Sequence, residues 1–166
     1  VGAALLAALF GAGEWRRHQP GLRLLHGSMA LNVAAMLLLF TSGDLLTLFI
    51  GWELVTWTGY LVLTQRGGPA EAASLRYLLY ALAGGMAALA GIVVVGIEAG
   101  SFGFDAVREA VPAMSAGQLW LLVALFGAGF GVKMGLMPFH LWQAGAYAET
   151  PGPITAFVSA IAARKG

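Results

Sequence analysis

Residues 44–64 read DLLTLFIGWELVTWTGYLVLT, and Glu53 stands in the middle of a stretch otherwise fit for hydrocarbon. A transmembrane helix needs about 20 mainly apolar residues, and this stretch supplies them. An unpaired carboxylate at its centre costs at least ~2.5 kcal/mol. Glu53 must therefore be neutral, paired or hydrated. Helical spacing places Leu46, Phe49, Ile50, Trp57 and Tyr60 on its face, so its partner has to come from water or a neighbouring helix.

The rest of the chain has the same character. Of its 166 residues, 59% are hydrophobic and 10% charged, with a mean hydropathy of +0.80. This is an all-α polytopic membrane protein, a helical bundle in the bilayer. Complete spans are expected at 22–41, 44–64, 75–98 and 118–137. A partial helix is expected at 1–11 and a half-helix at 153–163. The apolar start lacks a preceding basic region, unlike a signal peptide, and the last apolar run is cut short. Residues 1–166 are thus expected to form a fragment of one transmembrane domain from a longer chain.

The connecting loops alternate in charge. Arg16, Arg17 and Arg23 surround the first loop and Arg66 and Arg76 the third, whereas Asp44 lies in the second and Glu98, Asp105 and Glu109 in the fourth. The positive-inside rule then places loops near 12–21, 65–74 and 138–152 in the cytoplasm. In the fourth loop, DAVREAV at 105–111 reads either as a short amphipathic helix on the outer surface or as a plain turn. Gly127, Gly131 and Gly135 form a small-xxx-small stripe suited to close helix packing.

Lys133, in LFGAGFGVKMGLMPFHLW, is the second charge in an apolar run. Desolvation disfavours its charged form, and a nearby carboxylate restores it, so Glu53 and Lys133 would titrate as a unit. The plainer alternative is a buried ion pair that orients two helices. His140 shares the Lys133 face if the helix continues past Pro138, and would then suit proton relay. Otherwise it is an interfacial residue. Arg23, His26 and Arg76 read as interfacial, snorkelling groups, and so do Arg164 and Lys165 unless they belong to an ion path.

Several chemistries find no support. There is no cysteine for disulfides or iron–sulfur clusters, and no P-loop, HExxH or GxSxG motif. No cofactor, no metal and no catalytic residue is expected, so the chain has no redox or hydrolytic site of its own. A net charge of +1 with thinly spread basic residues lacks the footprint of a nucleic-acid partner.

LFIGWELVTWTGYLVL at 48–63 followed by GFGVKMGLMPFHLWQAGAYAETPGPITAFVSA at 129–160 resembles the antiporter-like proton-translocating membrane subunits. These are shared by respiratory complex I, Mrp-type cation/proton antiporters and membrane-bound hydrogenases. The resemblance runs from about residue 28 to the end. It implies part of an inverted-repeat antiporter-like fold with a discontinuous final helix, in a bacterial-type inner membrane. It also implies assembly with other membrane subunits of an NADH:quinone oxidoreductase-type translocase or a hydrogenase. The transported ion would be the proton, or Na⁺ in some branches.

The resemblance assigns proton translocation to Glu53 and Lys133, with His140 as relay and Arg76 as a supporting basic residue. Three places depart from the family pattern. Tyr147 follows Ala146 where a histidine is usual, and Gln143-Ala144 replaces a Leu-Pro. Arg164, with Lys165 next to it, falls where the family carries a lysine, and arginine stays charged at any physiological pH. The expected function is a proton-translocating or cation/proton antiporter subunit working through a buried Glu/Lys pair. The alternative is a scaffold subunit of a membrane redox or inorganic-carbon uptake complex without its own ion path.

Overall fold

A computed structural model describes residues 22–64, 68–137 and 140. Four of its helices are long and apolar enough to cross a membrane. They are α1 (Leu22–Phe40), α2 (Leu45–Leu63), α3 (Pro69–Ala99) and α5 (Ala116–Met134). Between the last two lie the short α4 (Phe104–Ala110) and a 3₁₀ turn at Val111–Ala113. Among the described residues there are no strands. The partial helices expected at 1–11 and 153–163 lie outside them, as do Tyr147, Arg164 and Lys165.

Each boundary has a local cause. Asp44 caps α2, its Oδ1 accepting from the Leu46 and Thr47 amides at 2.9 and 2.8 Å and its Oδ2 from the Thr47 hydroxyl at 2.7 Å. The Thr47 hydrogen bonds hold the Asp44 carboxyl below the usual carboxylate range. Helix α3 begins at Pro69, earlier than the hydropathy-based start at 75, because PAEAAS supplies a proline at N1 and Glu71 in the first turn. Ser115 and Gln118 form a capping box at the start of α5. Gly135, at φ 66°, ends that helix in the left-handed conformation before Pro138. His140 therefore does not continue the helix that carries Lys133, and it is exposed.

Helix α1 packs on α2, α2 on α3, and α3 on α5. Each contact is set by a glycine. At Gly51, a Cβ would stand 2.8 Å from the Leu39 backbone of α1, and at Gly59 it would stand 2.9 Å from the Tyr77 hydroxyl of α3. Where α3 meets α5, Gly129 lies so close that a Cβ there would be 2.9 Å from both the Gly84 carbonyl and the Ala88 side chain. Of the stripe expected at Gly127, Gly131 and Gly135, Gly127 does not make this contact, and Gly129, half a turn away, does. A Cβ at Gly127 would meet nothing within 4 Å among the described residues, Gly131 is buried, and Gly135 is the cap.

At one end of the bundle the loops are joined. The Leu45 amide donates to the Phe102 carbonyl at 2.9 Å, Asp44 and Gly103 form an antiparallel bridge, and Gln118 Nε2 donates to Glu98 at 2.6 Å. Val95, Met114 and Leu122 close the core there, with Val107 of α4 packed against them. The outward faces carry large apolar side chains such as Phe40, Met86 and Ile97. That is the surface a bilayer or a neighbouring helix requires.

Candidate functional site

The polar interior sits where α2, α3 and α5 meet. Lys133 lies in the last turn of α5, where a surface lysine would face the negative end of the helix dipole from solvent. Here it turns inward and is only 3% exposed. Its ammonium donates a hydrogen bond to Thr56 Oγ1 of α2 and stands 5.4 Å from the centre of the Trp52 ring, within reach of a cation–π attraction. The Phe130 ring meets Trp52 edge-on at 5.0 Å and closes the apolar side of this cage.

Glu53 occupies a different niche. It sits midway along α2, partly buried, with Ile50, Leu46 and Trp57 of its own face turned outward. Its Oε1 is buried with no hydrogen-bond partner among the described residues. That oxygen rests against α3 at Gly85, where any Cβ would overlap it. Glu53 and Lys133 feel each other's charge. Among the described residues no salt bridge joins them, and the hydrogen bond from Lys133 goes to Thr56.

The other expected site residues fall elsewhere. Arg76 lies exposed on α3, its Nε donating to the Ala72 carbonyl at 3.3 Å. No three metal-ligating side chains come together among the described residues. Thr56, Trp52 and Gly85 are the residues that sequence reasoning missed. A signal for Thr56 was available, because it follows Glu53 by three residues on the same helix face and is a hydroxyl in an apolar span.

Two crevices open beside α2, one of them reaching Trp52. One, of about 320 Å³, is wholly apolar and runs among α2, α3 and α5 from Leu45 down to Trp52 and Phe130, with Ala88 and Ile92 of α3 in its wall. The other, of about 570 Å³, lies at the opposite end between α2 and α3, where Tyr60, Thr64 and Glu71 give it a partly polar lining.

The family described as NADH:quinone oxidoreductase/Mrp antiporter, TM, matches residues 42–166. The chain belongs to this family. It is 31% identical over 159 residues to NADH-quinone oxidoreductase subunit N of Desulfitobacterium hafniense, covering 95% of this chain and 32% of that protein. The subunit N of Moorella thermoacetica is 31% identical over 140 residues, covering 79% of this chain and 28% of its own length. The chain thus spans about a third of these relatives.

Solved structures give the same fold. A chain of respiratory complex I from Thermus thermophilus with bound aureothin superposes with a TM-score of 0.75 at 25% identity, over 97% of this chain and 37% of that one. A chain of the Mrp complex from Dietzia sp. DQ12-45-1b gives 0.77 at 23% identity, over 83% of this chain and 15% of its own. The chain is an integral membrane protein of antiporter-like fold.

Proposed function

We propose that the chain is part of a proton-translocating subunit within a larger membrane complex, and that Glu53 and Lys133 are its switchable pair. The observation that carries this is the presence of two ionisable side chains in the interior of a bundle of membrane spans, within electrostatic range yet held by different neighbours. Intramembrane ionisable groups of this kind mark ion paths.

When Glu53 swings from Gly85 toward Lys133, the amine keeps its proton; when it swings back, the ammonium is left on Thr56 with a lower proton affinity, and from there its proton passes toward His140 and the residues that follow. Each ten-fold change in the proton affinity of Lys133 represents ~1.4 kcal/mol. A potential of 100 mV supplies about 2.3 kcal/mol per charge crossing fully, so modest changes gate the transfer. The partly polar crevice at Tyr60, Thr64 and Glu71 offers water a way in from that end. We place this end in the cytoplasm, because Arg23 and Arg76 flank it while Asp44, Glu98, Asp105 and Glu109 gather at the other. Tyr147, Arg164 and Lys165 extend the proposal toward the next site. Neighbouring membrane subunits complete the assembly.

The test is proton uptake, followed with a pH-sensitive dye, in vesicles carrying the full-length parent and its partners. Glu53→Gln keeps the shape and removes the charge. At matched assembled levels, uptake is expected to fall about ten-fold, a partial loss because Thr56 still holds Lys133. Unchanged uptake favours the scaffold reading, in which Lys133 and Thr56 merely tie α5 to α2.

Gly85→Ala probes the same switch without touching a charge. The added methyl displaces the Glu53 carboxylate into a less favoured rotamer, at roughly 1 kcal/mol. Uptake in the same vesicles is expected to fall about five-fold with assembly retained. Wild-type uptake would mean that the position of Glu53 against α3 has no bearing on transport.

A further inference from the structure

We infer that Thr56 is a positioning residue for Lys133: its hydroxyl is the acceptor that holds the ammonium whenever Glu53 does not. This deepens the proposed reading and rests on it.

The geometry makes Thr56 an acceptor with nothing to give back. Its side chain is fully buried, and its single hydroxyl hydrogen goes to the Trp52 carbonyl one turn earlier, at 3.1 Å. The oxygen lone pairs are left for Lys133, which donates to them. An ammonium brings three donors and no acceptor, whereas a neutral amine has a lone pair that this hydroxyl cannot serve. The Trp52 ring adds a second preference for a cation, because its π face attracts positive charge. Threonine and tryptophan, one turn apart on α2, thus form a berth selective for protonated Lys133.

The berth separates two events that a simple ion pair would merge. Glu53 lies three residues before Thr56, and its buried Oε1 rests on Gly85 of α3, so it can leave Lys133 without stranding a bare ammonium. Among the described residues the ammonium has no other hydrogen-bond acceptor, so without the hydroxyl it depends on Glu53 swinging across. The switch then loses its open position, and turnover slows.

The experiment compares Thr56→Val, which keeps the shape and removes the hydroxyl, with Thr56→Ser, which restores it. Both are made in the full-length parent within its complex. Two readouts are taken: proton uptake in vesicles at matched assembled levels, and the ¹⁵Nζ resonance of Lys133, assigned by its disappearance in Lys133→Arg. Thr56→Val is expected to lower uptake about ten-fold, the scale set by one hydrogen bond to a charged group, and to move the resonance. Thr56→Ser is expected to return both to near wild type. Uptake in Thr56→Val within about two-fold of wild type, a serine variant no better than valine, or an unmoved resonance overturns the inference. Failure of the proposed function is distinguishable, because Glu53→Gln would then leave uptake intact while the resonance still reports on the Thr56 contact.

Discussion

Gly129→Val is expected to leave little assembled protein in the membrane, whereas Gly127→Val, one half-turn away on the same helix, should assemble as wild type does. At Gly129 even a Cβ would stand 2.9 Å from the Gly84 carbonyl, and that is backbone, which cannot rotate aside. Valine adds two more methyl groups at the point where α3 and α5 touch. The helices must separate along that contact, forfeiting the dispersion contacts and small-residue packing that drive association in lipid. Overpacking costs typically 1–3 kcal/mol where side chains can adjust, and about the top of that range or more where they cannot. Native gel analysis of detergent-extracted membranes reads the outcome directly. Equal assembly of the two variants would show that α3 and α5 do not rely on this approach.

The second large effect is expected at Lys133. Lys133→Met keeps a long, flexible chain that fills the same volume against Trp52 and Phe130, so assembly should persist. The charge is lost, and with it the only buried cation among the described residues. Glu53 then loses the one buried positive charge near it among the described residues. Uptake in reconstituted vesicles is expected to fall about a hundred-fold or more, to the background of empty vesicles. Uptake within a few-fold of wild type at matched levels would place the proton path outside this chain's buried charges.

The membrane spans were legible in the sequence because hydropathy over some 20 residues is a local property. Helix ends were less so. Residues 69–74 read as a polar loop, yet Pro69 and Glu71 favour a helical start that carries α3 beyond its apolar core. At the other extreme, Leu136 and Met137 extended the apolar run past the point where Gly135 stops α5.

Packing was harder still. Spacing identified a glycine stripe, but only the position of α3 decides that Gly129, and not Gly127, meets it. The site shows the same division. Glu53 and Lys133 stood out as charges in apolar surroundings, and their direct pairing was expected. The structure instead gives Lys133 to Thr56 and rests Glu53 on Gly85. Both are contacts between residues distant in sequence, and neither leaves a periodic trace.

The hydrogen bond from Leu45 to Phe102, with the Asp44–Gly103 bridge beside it, has a mechanical meaning. It pins the start of α2 to the end of α3 and makes that point a fulcrum for any tilt of α2. At 1.5 Å of rise per residue, Glu53 lies about 12 Å along the lever and Thr56 about 16 Å. A tilt of about 5° would carry Thr56 roughly 1.4 Å, enough to break a hydrogen bond, while Glu53 moves less. A strain at the far end of α2 would therefore displace Thr56 from Lys133 more than it displaces Glu53 from Gly85, so the lever grades the two contacts by their distance from the pinned end.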